Sequence, residues 1–474
     1  MGRHSRGDGW GPGVIPTSLI DIAEAVGGQL VSVADPTAVV VHVCSDTRDV
    51  IPGSLFVALE GTRVDGHDFA EAAVASGAVA VLGSRPSGSP MIVVPDVLVA
   101  LGQLARFHID RLTDTTVIGV TGSVGKTTAK DLIASVLETD GPTISPPGSF
   151  NNELGLPLTV LSADQDTRYL VLEMGARGLG HIEYLCSIAP PDLGVELVVG
   201  TAHLSEFGSR AAIANAKAEL VRALPPGGTA VLNADDALVQ KMAGETSAAV
   251  TWFGQSHGAQ VSAEGLSFDT LDRARFTLRT PAGSALVEMQ FVGGHAVPNA
   301  LAAAAVGWSL GMDTDAIATA LSSATPRSKW RMEVTERSDG LIVINDAYNA
   351  SPEAVRAALK SLKQIAGNRR SWAVLGEMLE LGDQSGAEHD AIGRLVVRLD
   401  VQRLVVVGEG AKPMHLAAGL EGSWGRESMF VPDVAGAMAI LHEEVRPDDV
   451  VLVKASRAAG LEVVAAELLG GDVE

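Results

Sequence analysis

The chain has 474 residues, too many for one ordinary core, so two to four domains are expected, with three as the working number. Apolar residues make up 46% but aromatics only 4%, which excludes a disordered chain and predicts aliphatic cores between α/β layers. A formal charge of −22 excludes a surface that coats nucleic acid, so any anionic ligand must meet locally concentrated positive charge.

The opening "MGRHSRGDGWGPGVIP" lacks the apolar run of a signal peptide, and its glycines predict a loose tail. From Leu19 to about Val94, the runs "AVVVHVCSDT", "SLFVAL" and "AVAVL" alternate with Gly and Asp turns, the pattern of a small α/β domain. "SRPSGSP" reads as a loop inside that domain, because the apolar run "MIVVPDVLVAL" follows at once. "TTVIGV" predicts a strand, and the helical spacing of "TTAKDLIASVLE" predicts a helix after a glycine loop. "RYLVLEMGA" and "LGVELVVG" are further strands, leading toward helical segments such as "SRAAIANAKAELVRAL", so a mostly parallel sheet covered on both faces is expected. "ALAAAAVGWSLGM" from Ala300 is too short to span a bilayer and reads as a buried helix. After Pro326 the alternation restarts with "GLIVINDAYNASPEAVRAALKSL", "SWAVLGEM", "RLVVVGEGA" and "DDVVLVKASRAAGLEVVAAEL", four strand candidates each followed by helix-like sequence, which predicts a Rossmann-like third domain. The expected division is 1–97, 98–326 and 327–474. Cys44 and Cys186 sit in apolar contexts without metal spacing, which predicts buried reduced thiols and a cytoplasmic protein.

The stretch "TGSVGKTT" carries the most chemistry. In a phosphate loop, successive backbone N–H groups converge where the next helix begins, so partial positive charge meets phosphate oxygens. Thr121, Gly122, Ser123, Val124, Gly125, Lys126, Thr127 and Thr128 fill these positions, with Gly122 and Gly125 allowing close backbone approach. Lys126 suits the β- and γ-phosphates of ATP, and the Thr127 hydroxyl suits Mg²⁺. Glu173 ends a neighbouring strand and is either the metal's acidic ligand or an ordinary strand-end carboxylate. No Asn-Lys-x-Asp base reader occurs, which weighs against a guanine-nucleotide switch. The loop alone does not decide between kinase, ligase and nucleotide-controlled binding protein.

Further segments in the same order carry a resemblance to a known family: "SFNNELGLPLTVL", "LEMGA", "AHLSEFGS", "AKAEL", "LNADD", "INDAYNASP", "GEMLELG" and "LVKASRAAGLE". From about Ile20 to Leu469 the chain resembles the Mur ligase family, whose loop form T-G-[ST]-x-G-K-T explains a valine where the common motif wants glycine. The resemblance implies an ATP-dependent ligase that joins D-alanyl-D-alanine to UDP-N-acetylmuramoyl-tripeptide. The D-Y-A-H-T-P and D-N-P-R stretches expected of the enzyme acting one step earlier are missing. The resemblance implies a UDP-binding α/β domain, a central P-loop ATPase domain and a C-terminal Rossmann-like domain that takes the dipeptide. It implies a monomer acting on small molecules, without nucleic acid or membrane.

It also implies roles. Thr127 and Glu173 would hold Mg²⁺, and His203 would help place a second ion. Lys217, by spacing alone a solvated helix lysine, would be carbamylated and support that second ion. Together with Lys126 these form the expected catalytic set. The family's G-x-H-N-x-x-N appears as "GGHAVPNA": His295 and Asn299 remain for the base, but Ala296 replaces an asparagine. Arg331 suits a bidentate phosphate grip. Asp346 would accept from ribose, organise the C-terminal domain, or merely cap a turn. Thr47 and Arg48, with Asp65, Gly66 and His67, would contact the UDP end, although both runs also read as plain turns. Asn151 and Asn152 would lie near the muramoyl peptide. Tyr348, Asn349, Lys454, Ser456 and Arg457 would serve the peptide and dipeptide, with a solvated face as the alternative for Lys454 and Arg457.

Overall fold

The computed structural model describes residues 13–61, 64–146, 148–201, 204–422 and 427–470. The expected loose tail falls largely on residues 1–12, outside the described residues, and so does His203. The described chain forms three α/β layers of sheet and helix in sequence order, each around β-branched strands.

The N-terminal sheet has the order Gln29–Val31, Met91–Val93, Ala78–Gly83, Ser54–Val57, His42–Cys44. The run "MIVVPDVLVAL" is not one element. Pro95 ends its strand, and Asp96 caps the helix Val97–Ile109 by accepting from Val99 N at 3.0 Å. That helix joins the N-terminal layer to the central one through a continuous aliphatic cluster that includes Ile22, Leu101, Leu104, Leu156 and Leu185.

The central sheet is parallel throughout, in the order Ala249–Phe253, Thr229–Asn233, Leu193–Glu196, Thr116–Thr121, Tyr169–Glu173, Thr143–Ile144. The phosphate-loop strand Thr116–Thr121 therefore lies between two others. In register, Glu173 stands beside Val120 and Glu196 beside Thr121, so both glutamates reach the carboxyl edge where the loop begins. This edge is where ligands bind in open parallel sheets. The helix Lys126–Leu137 follows the loop and packs on Ala296–Ser309, whose alanines are buried as expected of "ALAAAAVGWSLGM".

A three-stranded antiparallel sheet, Ser262–Phe268, Arg273–Thr280 and Gly283–Val292, has no counterpart in the apolar-run reading. Its middle strand alternates buried and exposed residues, the period of a sheet with one wet face. The C-terminal sheet runs Glu333–Glu336, Ile342–Asn345, Val450–Lys454, Ser371–Leu375, Arg403–Val407, Ser428–Val431. The four expected strands form its centre. The two edge strands, Glu333–Glu336 and Ser428–Val431, lack the fully apolar signature and escape a reading based on apolar runs.

Cys44 and Cys186 are buried free thiols, each pushed up to about 12 by burial. Among the described residues no helix is long and apolar enough to cross a membrane.

Candidate active site

The strand Thr116–Thr121 ends in a loop that reverses into the helix at Lys126. Gly125 makes this turn with φ +87°, a conformation that favours glycine, and a Cβ there would press on Asn299 Oδ1 at 2.5 Å. The Lys126 ammonium folds back onto Gly122 O at 2.9 Å. The Thr127 hydroxyl donates to Glu173 Oε2 at 2.8 Å. The other Glu173 oxygen accepts from Ser149 Oγ at 2.8 Å and Asn151 Nδ2 at 2.7 Å. Glu173 is only 1% exposed and is no ordinary strand-end carboxylate. Burial pushes its carboxyl up, but Lys126, Arg331 and the hydrogen bonds from Asn151 and Thr127 outweigh that and hold it below the usual range. Lys126 is shifted down by burial and by Arg331, with Glu173 offsetting part of the effect.

Lys130, one turn further along the helix, carries a signal that the sequence reading missed. It is 1% exposed, pairs with Asp131 at 2.7 Å and donates to the carbonyls of Pro146 and Gly148. It thereby fixes the backbone that presents Ser149 to Glu173. A lysine among "TTAKDL" looks like a solvated residue, and only the tertiary contacts with the carbonyls of Pro146 and Gly148 reveal its use.

Lys217 ends the helix Arg210–Lys217 and is 5% exposed, which corrects the solvated reading suggested by spacing. Burial, reinforced by Lys126, moves its ammonium well below the usual lysine range, and Glu196 opposes the shift. Glu196, also missed, is fully buried, and neither of its carboxylate oxygens has a hydrogen-bond partner among the described residues. Burial pushes its carboxyl well above the usual range, with Lys217 countering and Asp236 adding to the shift.

A cavity of about 910 Å³ gathers the phosphate loop, Glu173 and Lys217 with groups from the C-terminal layer, while Lys130 and Glu196 lie behind its lining. Ser123 to Thr128, Asn151, Asn152, Glu173, Lys217, Asn299, Arg331, Asp346, Tyr348, Asn349, Lys454, Ser456 and Arg457 all line it. Arg331 lies over the Tyr348 ring at 4.3 Å, and its Nε is buried without a partner. Arg457 lies over Trp330 at 4.2 Å and pairs with Glu462. Lys454 is 2% exposed, which corrects the solvated alternative: it donates to Asp346 Oδ2 at 2.6 Å and to Asn349 O at 2.7 Å. Asp346 also accepts from Met332 N at 3.1 Å, so its contacts fit an organiser of the C-terminal layer better than a ribose acceptor. Asn299 donates to His295 O at 3.3 Å, and Ala296 is buried at the start of the same helix. The Asn152 carbonyl oxygen is occupied in part by capping Gly155 N at 2.9 Å. Ser456 Oγ accepts from Leu379 N at 3.0 Å.

The UDP-side candidates do not line this cavity. Asp46 caps a short turn at Thr47–Asp49 and pairs with the exposed Arg48. Asp65 binds His67 Nδ1 at 2.7 Å and Arg85, while Ser84 N donates to His67 Nε2 at 2.9 Å. The Arg85 hydrogen bond, with those from His67, lowers the Asp65 carboxyl. Gly66 packs closely on the backbone of Leu59.

The site fits a triphosphate. Thr121 Oγ1, Ser123 Oγ and Arg331 Nε are buried polar atoms without partners around a glycine loop, and such atoms call for a ligand. The Thr127–Glu173 pair, two oxygen donors held in contact, fits a hard divalent cation.

Comparisons with known proteins agree. Family models described as Mur ligase family, catalytic domain, as Mur ligase middle domain, and as Mur ligase, glutamate ligase domain match residues 39–108, 120–307 and 330–457. A UDP-N-acetylmuramoyl-tripeptide–D-alanyl-D-alanine ligase of Mycobacterium tuberculosis is 48% identical, covering 97% of this chain and 99% of its own. A crystal structure of MurF from Acinetobacter baumannii superposes with a TM-score of 0.85 at 32% identity, covering 96% of this chain and 99% of that one. MurF ligase from Thermotoga maritima in complex with ADP has a TM-score of 0.77 at 30% identity, covering 90% of this chain and 96% of that one. The three matches follow one another along the same chain that folds into this cavity, and the likeness holds over nearly its whole length: the chain belongs to the Mur ligase family.

Proposed function

We propose that the chain is the ATP-dependent ligase that joins D-alanyl-D-alanine to UDP-N-acetylmuramoyl-tripeptide, giving the UDP-pentapeptide used in peptidoglycan synthesis, with ADP and phosphate released. The observation that carries this reading is the convergence of the phosphate loop, Glu173, Lys217 and C-terminal cations on one cavity.

A carboxylate is a poor acyl electrophile because its leaving group would be oxide. Transfer of the γ-phosphoryl group to the tripeptide's terminal carboxylate makes an acyl phosphate, which then loses phosphate when the dipeptide amine attacks. The loop amides from Thr121 to Thr128 hold the triphosphate, Lys126 draws the β- and γ-phosphates in line, and Arg331 uses its free Nε on the same oxygens. Thr127 and Glu173 would hold one Mg²⁺, and His203 with carbamylated Lys217 a second; the metal supplies charge neutralisation between phosphate and carboxylate. Burial of Lys217 favours the neutral amine, which is the form that reacts with CO₂. Asn299 faces the base, while Asp346 holds Lys454 and the Met332 backbone so that the C-terminal layer stays over the nucleotide.

Thr47, Arg48, Asp65 and His67 serve the UDP end of the substrate in a domain spanning 1–97. The ATPase domain spans 98–326 and presents Asn151 and Asn152 to the tripeptide. The domain 327–474 offers Tyr348, Asn349, Lys454, Ser456 and Arg457 to the incoming dipeptide. The protein acts as a cytoplasmic monomer. The test is a mixture of ATP, Mg²⁺, UDP-N-acetylmuramoyl-tripeptide and D-alanyl-D-alanine: a UDP-pentapeptide mass with stoichiometric ADP is expected, and ADP release without a new amide would refute the reading.

A further inference from the structure

Glu353 is the second residue of the helix Pro352–Ala366, which belongs to the C-terminal layer, yet its carboxylate crosses to the central one. Oε1 accepts from Thr201 N at 3.0 Å and from the Thr201 hydroxyl. A Cβ on the adjacent Gly200 would lie 3.3 Å from both Glu353 Oε1 and Ser123 Cβ, so the carboxylate sits against the first turn of the phosphate loop. Oε2 is buried and has no partner.

Glu353 lines the large cavity, and its free oxygen distinguishes it from the other carboxylates there. Glu173 spends both oxygens on Thr127, Ser149 and Asn151, and Asp346 spends both on Lys454 and Met332 N. Among the described residues, Glu353 is the one cavity-lining carboxylate with a buried oxygen that lacks a donor. Such an oxygen is costly until a ligand supplies a donor. Triphosphate and acyl phosphate are anionic and offer it only repulsion, and the two metal ions proposed above are assigned to Thr127, Glu173, His203 and Lys217. The remaining reactant is the one that arrives as a cation, through an ammonium group that must lose a proton before its nitrogen lone pair can attack.

We propose that Glu353 binds the ammonium group of the incoming dipeptide and acts as the general base that deprotonates it. This rests on the ligase reading above. The ammonium gives one proton to Glu353 Oε2, and the freed lone pair forms the C–N bond to the acyl carbon. The tetrahedral species expels phosphate, which leaves with the C–O electron pair and takes up the second nitrogen proton. Glu353 then returns its proton to solvent. The hydrogen bonds to Thr201 hold the carboxylate in place from the other layer, so the base is in position only when the two layers are together.

The test compares two nucleophiles in the full-length enzyme with ATP, Mg²⁺ and UDP-N-acetylmuramoyl-tripeptide. D-Alanyl-D-alanine needs deprotonation near neutral pH, whereas hydroxylamine is already largely neutral and traps the acyl phosphate as a hydroxamate without help. In Glu353→Gln, pentapeptide formation should fall by roughly 10²-fold or more. It should recover as pH rises, while hydroxamate formation stays within about twofold of the unsubstituted enzyme, both figures being the scale expected of a lost general base. Equal losses with both nucleophiles would make Glu353 merely structural and overturn the proposal. A raised Mg²⁺ requirement for hydroxamate formation would make it a metal ligand, which also overturns it. Failure of the unsubstituted enzyme to form hydroxamate would strike the ligase reading itself, and the proposal with it.

Discussion

The phosphate-loop region and the UDP-side region use similar polar residues with opposite results. Around Gly125, polar atoms are buried, and several are left without protein partners: Thr121 Oγ1, Ser123 Oγ and Arg331 Nε. Around Asp46 and Asp65, the charged groups satisfy one another across two residues or with Arg85, and all of them except the buried His67 are partly or largely wet. The first arrangement stores unmet hydrogen-bonding capacity in a low-dielectric site, where each ligand contact is strong. The second must exchange existing ion pairs for ligand contacts in high dielectric, where each exchange gains little. Loss of one residue should therefore be severe in the first region and mild in the second.

The largest effect is expected for Lys126→Ala, which removes the cation that acts most strongly on the buried Glu173. Tripeptide-dependent ADP formation should drop by about 10³-fold or more, the scale of a lost transition-state clamp, as followed by a coupled ADP assay. A drop of only a few-fold would place the phosphates elsewhere.

Lys217→Ala comes next, with a loss of about 10²-fold, the scale of one preorganised electrostatic contact. Because the side chain is proposed to act as an anion, acetate or another short carboxylate should restore part of the rate, and a short amine should not. Rescue by the amine instead would mean that Lys217 works as a cation.

Arg48→Ala probes the wet region. A KM increase for the UDP substrate of about tenfold or less, with kcat nearly unchanged, is the expected signature of lost uniform binding. A large fall in kcat would break the contrast between the two regions.

The smallest effect is on stability in acid. Burial lowers the pKa of His108 and His389 below the ordinary 6.5. Local bonds fix both rings in place: His108 Nε2 contacts Ala163 O at 2.8 Å, and His389 Nε2 accepts from Met378 N at 3.0 Å. As pH falls below 6.5, the unfolded chain binds protons that the folded chain refuses, so stability declines on acidification and is unaffected by these groups above that value. Urea midpoints measured on either side should differ in that direction, and substitution of His389 by Gln should reduce the difference.

The same contrast explains what is legible in the sequence. The loop, its strand and its helix are contiguous, so backbone order alone fixes their geometry. Glu173 is readable because a parallel sheet brings the ends of neighbouring strands to one edge. Lys130, Glu196 and Glu353 are not. Their environments come from segments far away in the chain, and a lysine in a helix or a glutamate after "NASP" carries no local mark of burial. The antiparallel strands 262–292 escape notice because their alternating residues never form an apolar run, and Glu333–Glu336 because an edge strand needs none. Lys217 and Lys454 show the limit of spacing: by charge alone both read as solvated, the family resemblance puts them at the site, and the packing buries both.

The central claim is that a phosphoryl group passes through the tripeptide's terminal carboxylate, and oxygen-18 reports on it most directly. With that carboxylate labelled, the account requires one labelled oxygen in the inorganic phosphate for each amide formed. Label confined to the peptide and solvent, at an undiminished rate of amide formation, would contradict it.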